Sequence, residues 1–205
     1  MKRIALLAIA ATLGIPALGA PLTAGEENSP KEILEQFWKL EIQGAWSTPE
    51  GWNQMAALLV HPSPPPRNIT IAVIKGGIHD YRVGDPTITN DRAEIYVGFL
   101  DPGKLDSALR FIPESQRASN GALIGPSSDS YELVLTDKHW ELGADGRLSK
   151  QVTGAPVWRI AGRPWELHLT VEAAIRYVAQ MRDKAIDPAV EKNGDATITI
   201  LKRLQ

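Results

Sequence analysis

At 205 residues, with 43% hydrophobic and 22% charged side chains, the chain has an ordinary globular composition and enough length for one well-filled core. The absence of cysteine excludes disulfides, thiolate metal sites, a thiol nucleophile and a lipid carried on sulfur. A formal net charge of −2, without a basic run or stripe, argues against nucleic acid as a partner.

Lys2 and Arg3 precede the apolar run Ile4 to Leu18, and small residues cluster at Ala17, Gly19, Ala20 and Ala24. This is the charged, apolar and cleavage-zone order of a secretory signal peptide, with a cut expected between Gly19 and Ala24. The run is interrupted by Gly14 and Pro16 and falls short of the roughly 20 residues that a membrane span needs, and no later stretch reaches that length. The expectation is therefore an exported protein, periplasmic or extracellular: a signal peptide over 1–24 and a single α+β domain over 25–205. An exported chain without disulfides must be held by its core alone.

Ser29 as N-cap, Pro30 at the first helical position and Glu32 three residues after the serine form a capping box. Ile33, Leu34, Phe37, Trp38 and Leu40 give this first helix its buried stripe, and Gly44 ends it. Ser47-Thr48-Pro49-Glu50 starts a short second helix, with Trp52, Met55, Ala56 and Leu59 on one face. The prolines from Pro62 to Pro66 make a stiff connector that is neither helix nor sheet. Strands are expected at Ile69 to Ile74 and, after a Gly76-Gly77 turn, at Ile78 to Val83.

The clearest strand is Arg92 to Phe99, where Ala93, Ile95, Val97 and Phe99 alternate with polar positions at the period of a half-buried strand. Asp101-Pro102-Gly103-Lys104 has turn chemistry, so Leu105 to Ile112 is expected as the returning strand. A loop over Pro102 to Lys104 sets Ile95 opposite Phe111, Val97 opposite Leu109 and Tyr96 opposite Arg110. Pro113 to Ser130 is rich in Gly, Ser and Pro and is expected as a long loop. Tyr131 to Leu142, Arg147 to Val152 and Val157 to Ala161 complete the strands, the first two joined by a Gly143–Gly146 turn. Thr170 then caps a helix through Lys184 whose stripe is Val171, Ala174, Ile175, Val178 and Met181. Asp187-Pro188 is a further cap, and the tail, with Asn193 or Asp195 as a cap and Ala196, Ile200 and Leu204 spaced by four, is expected to be helical.

Two amphipathic helices followed by antiparallel strands, with a Val83-Gly84 turn and an Ala-x-Ile-x-Val strand at Ala93, Ile95 and Val97, resemble the front of an NTF2-like domain. The resemblance covers residues 30–162. It implies an α+β fold in which two N-terminal helices pack on a curved antiparallel sheet, an NTF2-like cone that often leaves a pocket, here with a C-terminal helical extension over 170–204. The superfamily includes isomerases, dehydratases, epoxide hydrolases and non-catalytic binding modules, so the fold leaves the function open. No catalytic residue is carried over, because no motif of an enzymatic branch is matched.

The residues themselves offer little chemistry. Four histidines, His61, His79, His139 and His168, lack the i, i+3 or i, i+4 spacing of a helical metal site, so neither metal nor cofactor is expected. His139 follows Asp137 on one strand face, where the carboxylate could orient the ring as a general base; the competing reading is a hydrogen-bonded histidine at a sheet surface. His168, just before a helix cap, reads as structural or solvated. Tyr96, Arg110 and Glu94 could anchor a ligand or be cross-strand pairs facing solvent. Tyr131, Trp140, Trp158 and Trp165 are candidates for an apolar pocket or for core packing. The expectation is an exported, non-catalytic module that binds a small apolar ligand or a protein partner. The alternative is a small hydrolase, isomerase or dehydratase with a His139–Asp137 base.

Overall fold

The computed structural model describes residues 29–63, 70–75, 81–114, 127–164 and 166–205. The signal-peptide expectation, His79, Trp165 and the centre of the proline connector lie outside these residues. The first helix, α1 (Pro30–Ile42), begins as its sequence dictates: the Glu32 backbone N–H donates to Ser29 Oγ at 3.3 Å, and the Ser29 N–H donates to Glu32 Oε2 at 2.7 Å. Gly44, at φ +80°, turns the chain into a single 3₁₀ turn, Ala45–Ser47. Thr48 accepts from the Gly51 N–H at 3.1 Å and caps α2 (Pro49–Ala56). After α2 the chain pairs with the last long strand, where the Val60 N–H donates to the Ile160 carbonyl at 3.0 Å and the Ile160 N–H donates to the Leu58 carbonyl at 2.9 Å.

Among the described residues nine strands follow: β1 (Ile71–Ile74), β2 (Tyr81–Val83), β3 (Thr87–Thr89), β4 (Arg92–Phe99), β5 (Gly103–Leu105), β6 (Phe111–Pro113), β7 (Ser127–Leu142), β8 (Leu148–Gly162) and β9 (Leu167–Thr170). The architecture is α+β, with four α-helices among the described residues and a strongly curled antiparallel half-barrel sheet in the order β2-β4-β7-β8, β3 also pairing with β4. A second sheet, β6-β5-β1-β9, is antiparallel except for its parallel β1–β9 pair. The chain closes with α3 (Val171–Asp183), capped by Thr170, and α4 (Pro188–Lys202), capped by Asp187. The tail is thus helical as expected, but Asn193 and Asp195 lie inside α4 rather than capping it.

The second sheet separates two cores. Ala72 and Ile74 of β1 face α1, α2 and the inner face of the curl, whereas Ile71 and Val73 face α3 and α4 together with Leu105, Leu167 and Leu169. Inside the curl the packing is aromatic: Trp38 and Phe37 of α1 and Tyr131 of β7 are all essentially inaccessible.

Five strand expectations are corrected. β4 pairs with β7, not with a returning strand, so Ile95 faces Tyr131, Tyr96 faces Ser130 and Val97 faces Asp129. Leu105 to Ile112 cannot be one strand, because Asp106 Oδ1 accepts from the backbone N–H groups of Ala108 (3.0 Å) and Arg110 (2.9 Å), folding a turn that puts Leu109 at φ +61°. The pieces on either side, β5 and β6, join the second sheet instead. Likewise β1 and β2 belong to different sheets and form no hairpin with each other. Finally, Ser127 to Ser130 is the start of β7 rather than loop, and Arg147 to Val152 merges with Val157 to Ala161 into β8, which absorbs two extra residues between its pairings with Thr136 and Lys138.

Candidate functional site

The alternation that buries Tyr131 and Leu133 also turns Asp129 inward, because residues two apart on β7 share a face. On β9, Leu167 and Leu169 face α3 and α4, so His168 points the other way, into the curl. On α1, Glu41 lies one turn beyond Phe37 and three residues beyond Trp38, on the buried stripe. These three periodicities bring Glu41, His168 and Asp129 together at the meeting of the helix and both sheets.

His168 is wholly inaccessible, and Glu41 is 1% exposed. The imidazole Nδ1 lies 2.7 Å from Glu41 Oε1 in a hydrogen bond. Nε2 lies 2.9 Å from Asp129 Oδ2, an ion pair without hydrogen-bond alignment. The ring is held between Trp38, at 4.5 Å between centroids, and Phe99, at 4.7 Å. Burial alone would lower the His168 pKa, but its contacts with Asp129 and Glu41 and the charge of both carboxylates outweigh this and raise it to about 9. At neutral pH the ring is therefore an imidazolium with both nitrogens protonated. Tyr131 stands edge-on to Trp38, and its hydroxyl has no hydrogen-bond partner among the described residues. Burial, followed by the charges of Glu41 and Asp129, pushes its pKa well up, so it stays a neutral phenol.

A protonated imidazole can donate and stabilise negative charge, but it cannot accept a proton. Enclosed by two aromatic rings and two carboxylates, it has no exposed atom with which to meet a substrate. What the arrangement does is tie α1 to β7 of one sheet and β9 of the other.

The accessible concavities lie elsewhere: among the described residues one of about 600 Å³ opens over β3, β4, β7 and the end of β8, lined by Thr87, Arg92, Glu94, Glu132 and Arg163, and another is a cleft of about 410 Å³ where the end of α1 meets α2 and α3. Leu40, Gln43 and Gly44 form one wall, the 3₁₀ turn with Glu50, Gly51 and Gln54 of α2 another, and Ala173, Arg176, Tyr177 and Gln180 of α3 the third. The floor depends on Gly51, because a Cβ there would stand 2.3 Å from the Ala45 carbonyl oxygen. Tyr177 is backed by Trp46, at 5.2 Å between ring centroids.

Compared with known proteins, the chain matches no family model, no curated protein and no solved structure.

The residues singled out from sequence scatter over the molecule. His139 is half-buried on β7 with Nδ1 enclosed and without a hydrogen-bond partner among the described residues, while Asp137 is exposed and makes no hydrogen bond to it. Tyr131, at 1% exposure, has no face left for a ligand. Trp140 is half-buried and its Nε1 donates to the Val60 carbonyl at 3.3 Å, and Trp158 packs against the inner core. Tyr96 lies exposed on the outer face of the curl, donating to Glu94 Oε1 at 2.7 Å, and Ser130 Oγ donates to the same oxygen at 2.9 Å. These two donors, Tyr96 first, lower the Glu94 pKa. Arg110 is paired instead with Asp106, 2.7 Å away in the turn before β6, so Tyr96, Glu94 and Arg110 do not form one cluster.

Among the described residues no cluster of three His, Asp or Glu side chains has the arrangement of a metal site. Glu41 and Asp129 escaped the sequence reading and His168 was undervalued. The signals were a glutamate on an apolar helical stripe, an aspartate two residues before an inward-facing tyrosine, and a histidine alternating with two leucines.

Proposed function

We propose that the chain is an exported, non-catalytic binding module of NTF2-like type that takes a small ligand in the α1–α2–α3 cleft. The observation that carries this is the complete burial of His168, the one imidazole among the described residues paired with carboxylates. Its raised pKa and its enclosure suit a tie within the core, not proton transfer to a substrate. The cleft falls within the range of about 300–1,000 Å³ usual for small-molecule sites, and both apolar and polar side chains line it. The curled sheet around α1 supports the NTF2-like reading, and the charged-apolar-small order of the first two dozen residues supports export.

Two assays on the full chain test the reading. Incubation with ester, epoxide and hydroxyacyl thioester substrates is expected to give no turnover, while a thermal-shift screen against a metabolite library is expected to return ligands that raise the melting temperature. Turnover abolished by His139→Ala would overturn the proposal in favour of the His139–Asp137 base.

A further inference from the structure

The geometry points to a neutral saccharide as the ligand class of the cleft between α1, α2 and α3, an inference that rests on the binding reading above. The charges of the lining side chains come first. Glu50 and Arg176 are one of each sign, and the Arg176 Nη1 already donates to Glu172 Oε1 at 2.8 Å. An ionic ligand drawn by either charge would meet the opposing one, so the cleft favours an uncharged occupant. The hydrogen-bonding groups come second. Gln43, Gln54 and Gln180 each bring a side-chain amide from a different helix or its end, and none of these amides is hydrogen-bonded to another described residue. An amide presents two donors and an acceptor together, which matches a hydroxyl group able to give and accept at once. Three such amides around one space suit a ligand with hydroxyls on several sides. By contrast, the hydroxyls of Ser47 and Thr48 are already engaged with the Gly44 and Ala45 carbonyls.

The third element is the Tyr177 ring, an apolar platform with a polar tip, held from behind by Trp46. A pyranose ring has one face dominated by C–H groups and a hydroxylated perimeter, so the ring can cover Tyr177 while its edge reaches the amides. The close approach of Gly51 to the Ala45 backbone keeps the α2 wall against the 3₁₀ turn, so little ordering of the backbone is needed on binding.

The test is amide-resolved NMR titration of the full ¹⁵N-labelled chain with cellobiose, maltose and N,N′-diacetylchitobiose at millimolar concentration, in parallel with glycylglycine and 8-anilinonaphthalene-1-sulfonate. At least one disaccharide is expected to shift amides of residues 43–54 and 173–180 together. The double variant Gln54→Ala/Gln180→Ala, whose changes lie on exposed side chains, is expected to weaken that binding about tenfold while leaving the rest of the spectrum in place. Shifts produced by the dipeptide or the anionic dye alone would overturn the saccharide assignment and leave the binding module standing. Disaccharide shifts confined to other surfaces, or unaffected by the double variant, would also overturn it. If no probe moves the cleft amides, the assignment and the cleft as binding seat fall together.

Discussion

Raising the pH above neutral should loosen this protein, and the cause should be His168. An unfolded histidine titrates near 6.5, whereas His168 in the fold titrates at about 9. Its folded pKa is the higher one, so the stabilisation is fully present below the unfolded value and is lost as pH rises through 6.5 to 9. Each pKa unit corresponds to about 1.4 kcal/mol, which makes the loss across this window about 3 kcal/mol. For a domain whose stability is of the order of 5–15 kcal/mol, that is a large fraction. Urea denaturation from pH 6 to 9.5 measures it directly, as a fall in the transition midpoint at constant m-value. His168→Gln should be less stable at neutral pH by about 3–5 kcal/mol, since Glu41 and Asp129 then stay buried without their cation, and its stability should not fall further over the same window. A wild-type midpoint that is flat from pH 6.5 to 9, or an unchanged slope in the variant, would refute the assignment of an imidazolium to this position.

The last helix supplies a second test. Thr197 Oγ1 donates to the Leu109 carbonyl at 2.7 Å and accepts from the Phe111 N–H at 3.1 Å, latching the turn in which Leu109 holds φ +61°. Thr197→Val should cost about 1–3 kcal/mol by urea denaturation and Thr197→Ser much less, because serine keeps both bonds. On α3, Val178 is fully buried while Met181 is 38% exposed. Val178→Asp should lower stability by more than about 3 kcal/mol and Met181→Asp by under about 1, and equal small effects would show that this stripe is not packed within the chain.

The helices were legible because their start signals are local. Ser29-Pro30 with Glu32, Thr48-Pro49, Thr170 and Asp187-Pro188 each act within one turn, and all four cap the helices expected of them. Arg92 to Phe99 was legible because one face is wet and one dry. Strand partners were not, since pairing is decided by tertiary packing. β1 is buried at all four positions because it separates two cores, so its alternation vanishes and with it any hint of which sheet it joins. Leu105 to Ile112 keeps a plausible strand pattern, yet one aspartate side chain is enough to fold it into a turn. The Glu41–His168 pair spans 127 residues. No spacing rule reaches that far, although a glutamate within an apolar stripe already demanded a buried partner.

Removing two carboxylates and an imidazolium from water is costly, and a well-packed apolar trio could hold the same volume at equal or better stability. What charge adds is direction. A leucine at position 41 could slide along the curl, whereas Glu41 has to keep Oε1 within 2.7 Å of one ring nitrogen while Asp129 faces the other. Glu41 lies in the final turn of α1, between Leu40 and the pair Gln43 and Gly44 that together form one wall of the cleft. Fixing Glu41 therefore fixes the position from which Gln43 extends. On the opposite side, the α2 wall is set by the contact between Gly51 and the Ala45 backbone, which tolerates no side chain. Two unrelated constraints, a buried ion pair behind the cleft and a glycine contact across it, thus converge on one surface. In a chain without disulfides the walls of this cleft are thereby held by the packing of the core, while the curl itself is filled by Phe37, Trp38 and Tyr131.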